Sequence, residues 1–406
     1  MLLRRPSDLH EEGGALGHRG KDGTSGRPPE WPEPFGRGER ERRALLVLLS
    51  LASLTPRRLF DLAGLEGTAE ACLAAVKEGR AGSEADRSYA RTIVPEDVDV
   101  ALRAAGGRLV PVHDPEYPAP LLDLFDPPAG LFVRGRGLEA VTTPVAIVGA
   151  RNCSPSGTEV ASALARALAM HGATVVSGGA RGIDGAAHRG AVQAGGHTVA
   201  VLGCGIDVAY PSQNRRLFGS ILATGSIVGE YPPGTPAEPF RFPARNRIVA
   251  ALSRAVVVVE GSTGSGSMIT AEHALDLGRE VFAVPGAVTS ALAQVPLALL
   301  REGATLIRGP DDLVADLGLQ PILPGPGDAG TSKGSGSALA LAAGESAVWG
   351  ALTSPAAPDH LARVSGLGLG DVVAALVGLE LRGLVRQTGG RYERTVGAPK
   401  GSGESA

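Results

Sequence analysis

Six apolar runs in the middle of the chain constrain its fold more than any other feature. PVAIVGA (144–150), ATVVS (173–177), HTVAVLG (197–203), SIVGE (226–230), AVVVVEG (255–261) and EVFAVPG (280–286) are nearly continuous in Val, Ile and Ala, with helical patterns between most of them. A strand apolar on both sides must be covered on both sides, and strands that alternate with helices build a parallel sheet between helical layers. ATLIRG (304–309) is a candidate further edge strand. The expected class is α/β with a doubly wound parallel sheet. Ligands of such sheets bind beyond the carboxyl ends of the strands, so chemistry is expected in the loops that follow each run.

The 406 residues exceed one ordinary domain. Residues 1–40, rich in Gly, Pro, Glu and Arg, read as a disordered tail. A helical pattern occupies 41–105: ALLVLLSLASL is followed by the helix-start pair Thr55-Pro56, and a Gly-x-x-Gly step at Gly64 and Gly67 suggests a helix-hairpin-helix unit. Such a unit serves nucleic-acid backbone or plain packing about equally well. The strand-rich domain is expected at 106–320, approached through the proline-rich stretch 113–135, and a Gly/Ser/Pro linker at 321–344. Three helical stretches near 346–353, 357–365 and 369–381, then a hairpin turning at Gly389-Gly390, give 345–395 the layout of a winged helix. Residues 396–406 read as a loose tail.

A net charge near −3 leaves no general basic coat, so any nucleic-acid site must be a local patch. Cys72, Cys153 and Cys204 form no CxxC pair and suggest neither a metal site nor a disulfide framework. With no leader-like start and no run long enough to span a bilayer, the expectation is a cytoplasmic protein without cofactor, metal or membrane contact.

The loops carry Gly, Ser and Arg. Gly149 and Arg151 follow the first run, with Ser154 just before a helix, and free N–H groups at a helix start make an anion site. Ser177-Gly178-Gly179-Ala180-Arg181-Gly182 follows the second, with Asp184 placed to cap the next helix and His188 one turn on as a packing residue. Gly203-Cys204-Gly205 follows the third. Cys204 has no His or Asp partner nearby, so it reads as a small residue in a tight turn rather than a nucleophile. FPARNR (242–247) sets Arg245, Asn246 and Arg247 between two apolar runs, and guanidinium forks suit phosphate oxygens. If that stretch is extended, Arg245 and Arg247 share a face and Asn246 points away. Ser265-Gly266-Ser267 enters a helix that carries Thr270, a second Ser/Gly anion cradle. The first run ends in Gly149-Ala150-Arg151 rather than GxGxxG, the second ends at Ser177 where a ribose-binding acidic residue would be expected, and no GxxxxGK[ST] occurs, which argues against a nicotinamide or P-loop enzyme. The expected ligand is a polyanion, with Tyr210, Tyr231, Phe240 and Phe242 available for base stacking.

VAIVGAR (145–151), VVSGGARGIDGAAH (175–188), AVLGCGIDVAYP (200–211), GEYPPGT (229–235), FPARNRIVAALS (242–253), SGSMITAEHAL (265–275) and GREVFAVPG (278–286) together resemble the DprA family, DNA-processing protein A, also called Smf. The resemblance is strong over about 140–318. It implies an extended Rossmann-like domain flanked by a SAM-like helical domain and a winged helix, which binds single-stranded DNA, dimerises and helps load RecA recombinase during natural transformation. The residues it places at DNA are Gly149, Arg151, Ser154, Ser177, Gly178, Gly179, Arg181, Gly182, Gly203, Gly205, Arg245, Asn246, Arg247, Ser265, Gly266 and Ser267, with Asp184, His188 and Thr270 in support. The chain departs from the family at Gly179, where Leu is usual, and at Ala293-Gln294-Val295-Pro296, where a Gly-x-Asn step is usual. The expected recognition helix, 366–383, offers Arg382 against Asp371 and Glu380, so protein contact suits it as well as DNA does. The rival is a LOG-type nucleoside-monophosphate phosphoribohydrolase with Glu272 as catalytic carboxylate, although its PGG motif is missing here.

Overall fold

The computed structural model describes residues 30–320, 341–381 and 384–395. The expected tails at 1–29 and 396–406, the linker at 321–340 and Arg382 lie outside the described residues.

Among the described residues five helices come first: α1 (Glu39–Leu48), α2 (Pro56–Glu66), α3 (Ala69–Glu78), α4 (Glu84–Thr92) and α5 (Pro95–Ala104). Thr55 caps α2 through the Arg58 N–H with Pro56 in the first turn, and Gly67 ends it in the left-handed region at φ 81°, where a Cβ would be strained. The expected tail is too long at its C-terminal end. Trp31 and Phe35 are buried, and Trp31 packs edge-on to Phe60 with ring centroids 4.9 Å apart, so ordered packing begins before α1.

The central sheet has nine strands: β1 (Gly107–Pro111), β2 (Gly130–Gly135), β3 (Val145–Val148), β4 (Val175–Ser177), β5 (Thr198–Leu202), β6 (Ser226–Gly229), β7 (Ala255–Val258), β8 (Glu280–Ala283) and β9 (Thr305–Leu306). Their order is β1-β2-β6-β5-β4-β3-β7-β8-β9. The strands from β3 onward are parallel, as the apolar runs imply, and ATLIRG supplies edge strand β9. β1 and β2 are a departure: an antiparallel pair that starts just before the proline-rich stretch and ends within it joins the sheet through β2, antiparallel to β6, so the sheet is mixed. The helices are α6 (Pro155–Met170), α7 (Ile183–Gln193), α8 (Arg215–Thr224), α9 (Arg241–Leu252), α10 (Gly266–Asp276), α11 (Gln294–Arg301) and α12 (Pro310–Asp316).

Strand alternation sorts the core into two layers. Val145 and Ile147 join the cluster with Leu164 and Ala187 from α6 and α7, whereas Ala146 and Val148 join the one with Val249 and Ala271 from α9 and α10. Gly190 brings α7 against α6, because a Cβ there would lie 2.3 Å from the Ser162 carbonyl oxygen. A third core, around Trp349, Leu376 and Leu379, belongs to α13 (Ala343–Ala351), α14 (Pro358–Ser365), α15 (Leu369–Leu381) and the hairpin β10 (Val385–Thr388) and β11 (Arg391–Arg394). Gly389 and Gly390 turn that hairpin at φ 57° and 77°, completing a winged helix. Arg386 of β10 reaches Glu159 of α6 at 2.7 Å. Among the described residues no single helix is long and apolar enough to cross a membrane.

Candidate nucleic-acid interface

Counting from β3, the chain runs outward through β4, β5 and β6, then returns to the other side of β3 with β7. The strand order therefore reverses between β3 and β7, and crevices form where loops diverge at such a point. A cleft of about 700 Å³ opens there, walled by Gly149, Ala150, Arg151 and Asn152 after β3, Gly178 and Ala180 after β4, Tyr210, the first turns of α9, and Ser262 to Ser267 entering α10.

The FPARNR segment is not extended. It forms the start of α9, because Pro243 falls in the first turn, where no intrahelical N–H is required. Helical spacing then separates the three polar side chains. Arg245 is buried, donating from Nη1 to the Gly178 carbonyl at 2.7 Å and to that of Val201, and from Nε to Asn246 Oδ1 at 3.2 Å. Gly178 has to be glycine, since a Cβ would sit 2.6 Å from both the Arg245 guanidinium and Asp184 Oδ2. Burial, opposed by Asp184 and reinforced by Arg151, lowers the Arg245 pKa, yet guanidinium remains charged. Burial likewise raises the Asp184 pKa, against the pull of Arg245 and the Ala180 N–H. Asn246 donates to the Gly266 carbonyl at 3.0 Å and so ties α9 to the start of α10.

Arg247 departs from the expected ligand set. It is 6% exposed, donates twice to Glu230 at 2.7 and 3.0 Å and pairs with Asp126 at 3.0 Å. Burial works against its charge, but the two carboxylates outweigh it and hold the pKa above the ordinary value. Arg247 anchors α9 to the segment before β2 and to the loop after β6 rather than facing the cleft.

Ser154 departs too. The start of α6 is not open: Ser154 donates to the Glu260 carboxylate from its N–H at 2.8 Å and its hydroxyl at 2.5 Å, and the same hydroxyl accepts from Gly157 N–H. By contrast Ser265, the N-cap of α10, makes no side-chain cap, its hydroxyl meeting Ser267 at 2.7 Å instead. Gly266 at that helix start is exposed. Thr270 donates back to the Gly266 carbonyl at 3.1 Å.

Arg151 is exposed and lies over the Phe242 ring at 5.0 Å, while Tyr210 stacks on Phe242 with centroids 5.2 Å apart. Arg181 is exposed at the neighbouring loop. Several expected residues serve the loop geometry. Ser177 is buried and donates to the Ile147 carbonyl. Gly182, at φ 73°, allows the β3 and β4 loops to touch, since a Cβ would lie 2.2 Å from the Ala150 carbonyl oxygen. Gly179 is also left-handed, at φ 68°. Gly203 admits the start of α9 and Gly205 the 232–234 turn. His188 is fully buried, joined to Thr198 Oγ1 at 2.8 Å, and burial drives its pKa down to about 3.

Sequence reasoning missed Asn214, whose Nδ2 donates to the Gly179 and Ala180 carbonyls at 3.0 Å each and brings the exposed Arg215 and Arg216 beside that loop. It also missed Gln294, which accepts from the Thr263 N–H and hydroxyl. An asparagine before a helix is a familiar cap signal, but its reach of 35 residues leaves no local trace. Glu272 is exposed on α10 and does not line the cleft. Among the described residues no group of His, Cys, Asp and Glu could hold a metal ion.

Fold and cleft together define a doubly wound α/β protein with a switch-point cleft walled by Arg151, Arg245 and the start of α10, and with a C-terminal winged helix. Residues 108–318 match the description of DNA recombination-mediator protein A, and 335–391 match the DprA winged helix domain. The chain belongs to the DNA recombination-mediator protein A family. It is 38% identical over 312 residues to Protein Smf of Synechocystis, covering 69% of this chain and 78% of that one. It is 43% identical over 206 residues to DNA processing protein DprA of Streptococcus pneumoniae, covering 50% of this chain and 72% of the relative. The X-ray structure of the Streptococcus pneumoniae protein superposes with a TM-score of 0.59 at 32% identity, over 68% of this chain and 97% of that chain.

Proposed function

We propose that the cleft binds single-stranded DNA and that the protein, as a homodimer in the cytoplasm, presents the strand to a RecA-type recombinase during DNA uptake and recombination. The observation that carries the reading is the stack of Arg151, Phe242 and Tyr210 at the cleft, beside the α10 start and Arg245. An exposed ring such as Tyr210 accepts an unpaired base, and neighbouring guanidinium and amide groups donate to phosphates; duplex DNA hides its base faces. The family description as a recombination mediator supports the recombinase as partner. The protein acts by binding rather than turnover, and the position of Glu272 away from the cleft supports this over phosphoribohydrolase chemistry. Incubation with AMP should release no adenine; turnover abolished by Glu272→Gln would overturn the reading.

Fluorescence anisotropy with labelled oligonucleotides across a salt series tests the ligand. Single strands should bind more tightly than duplex, with log affinity falling linearly in log salt, and Arg151→Ala should flatten the slope by somewhat under about one unit. An unchanged slope places the strand elsewhere. Light scattering at micromolar protein tests the dimer, and a pull-down with purified recombinase tests the partner.

A further inference from the structure

Acids and arginines are unevenly distributed along the chain. From residue 160 to 229 the acids are Asp184 and Asp207 alone, against Arg166, Arg181, Arg189, Arg215 and Arg216, in a protein whose net charge is −3. Neither acid answers the last four arginines. Asp184 is buried beside Arg245 and accepts from the Ala180 N–H, and Asp207 accepts from the Gly234 N–H at 2.9 and 3.1 Å. Arg181, Arg189, Arg215 and Arg216 are all exposed, and among the described residues none of them makes a salt bridge. Elsewhere arginines are paired: Arg57 with Asp61 at 2.8 Å, Arg80 with Glu78 at 2.8 Å, Arg308 with Asp312 at 2.7 Å.

Tertiary packing gathers the four. Asn214 Nδ2 donates to the Gly179 and Ala180 carbonyls, which sets Arg215 and Arg216 of α8 against the loop that carries Arg181. A Cβ at Gly185 of α7 would lie 3.2 Å from Arg189 Nη1 and 3.5 Å from Asn214 Nδ2, so the Arg189 guanidinium reaches the same seam. Folding does not account for these charges. Arg215 and Arg216 open α8, where aligned peptide dipoles oppose cations, and clustered like charges repel. The patch also continues the cleft. A hollow of about 40 Å³ shares Arg151, Gly178, Tyr210 and Phe242 with it and adds Arg181 and Pro211, which leads into the Ser212–Asn214 turn before α8.

We propose that Arg181, Arg189, Arg215 and Arg216 form a phosphate track along the seam between α7 and α8, for the part of a single strand that has left the cleft. The ligand is the phosphodiester backbone. Phosphate contacts position a strand without reading it, so the track adds affinity that grows with length and no choice of base. The proposal rests on the single-strand reading of the cleft and extends it.

The test is anisotropy on the full chain with labelled oligothymidylates of about 6 nucleotides, enough for the cleft, and about 20, enough to run past it. The triple variant Arg189→Ala, Arg215→Ala, Arg216→Ala should flatten the salt slope of the long strand by about two units, at about 0.7 per lost phosphate contact. Its binding of the short strand should match wild type, whereas Arg151→Ala should weaken both lengths. Lysine at the same three positions keeps the charge and should keep the slope. Single alanine variants, each flattening the slope by about 0.7, decide the matter if the triple variant does not fold. An unchanged slope with the long strand overturns the proposal. So does an equal loss at both lengths, which would put these arginines in the cleft, or a loss confined to duplex, which would assign the patch to paired DNA. Failure of the single-strand reading shows separately, because wild type would then bind neither length.

Discussion

Arg247→Met separates an anchor from a ligand contact. Arg247 and Glu230 are both nearly excluded from water and joined by two charge-assisted hydrogen bonds, with Asp126 on the other side of the guanidinium. Removing one member strands the other: a buried carboxylate without its cation typically costs about 3–5 kcal/mol, a large part of the roughly 5–15 kcal/mol that holds a domain together. The assay is urea unfolding of Arg247→Met, Glu230→Gln and the double variant. Arg247→Met should lose about 3–5 kcal/mol, and the double variant should recover at least half, because no buried charge remains at position 230. The loss should depend on pH in a fixed sense. Burial already raises the Glu230 pKa in the intact protein, and removal of Arg247 raises it further. A carboxylate whose folded pKa exceeds its unfolded value destabilises above the folded pKa and is relieved as pH falls toward the unfolded one, so the deficit should be larger near about pH 8 than near about pH 5. If Arg247→Met is as stable as wild type while its salt slope for single strands flattens, Arg247 faces the strand and the assignment is refuted.

Three further outcomes are expected. Gly182→Ala should destabilise by about 2 kcal/mol or more and weaken oligonucleotide binding, measured by unfolding and anisotropy, since its φ of 73° and the 2.2 Å approach to the Ala150 carbonyl allow no Cβ. Asn214→Ala should cost about 1–3 kcal/mol in unfolding and lower affinity for single strands, through two orphaned carbonyls and a loosened Arg181 loop. His188 remains neutral in the fold down to about pH 3 but protonates in the unfolded chain near its usual value; its depressed folded pKa therefore loses stability as pH falls through that window, and His188→Asn should flatten the acid limb of a stability–pH curve.

The parallel sheet could be read from the chain because each central strand is buried on both sides, which writes a continuous Val/Ile run into the sequence. β1 and β2 left a weaker mark. Their apolar cores, Leu109-Val110 and Leu131-Phe132-Val133, are short and set among prolines, and their pairing with each other and with β6 is a tertiary choice. The loop glycines announced close approaches, yet which of them meet a ligand and which meet a neighbouring loop depends on partners far away in the chain. The same limit hid the role of Arg247, whose carboxylates lie 17 and 121 residues off. FPARNR looked like a loop because proline and three polar residues interrupt an apolar pattern; first-turn tolerance of proline and the depth of the α9 packing made it a helix. Glu260 gave no sign at all, since a glutamate ending a strand announces a cap only once the helix it reaches is in place.

The reversal of strand order between β3 and β7 also sets when the cleft comes into being. One wall follows β3, β4 and β5, and the other follows β7 and enters α10. During synthesis the first wall leaves the ribosome before the second, and until Gly266 and its helix arrive the cleft stands open on the α10 side. A nascent chain stopped before α10 would carry Arg151, Tyr210, Phe242 and Arg245 with their mutual contacts, but would lack the Gly266 carbonyl that Asn246 holds and the uncapped helix start beside it. The cleft is thus complete only once α10 has joined the sheet, late in the order in which the residues of the chain are joined.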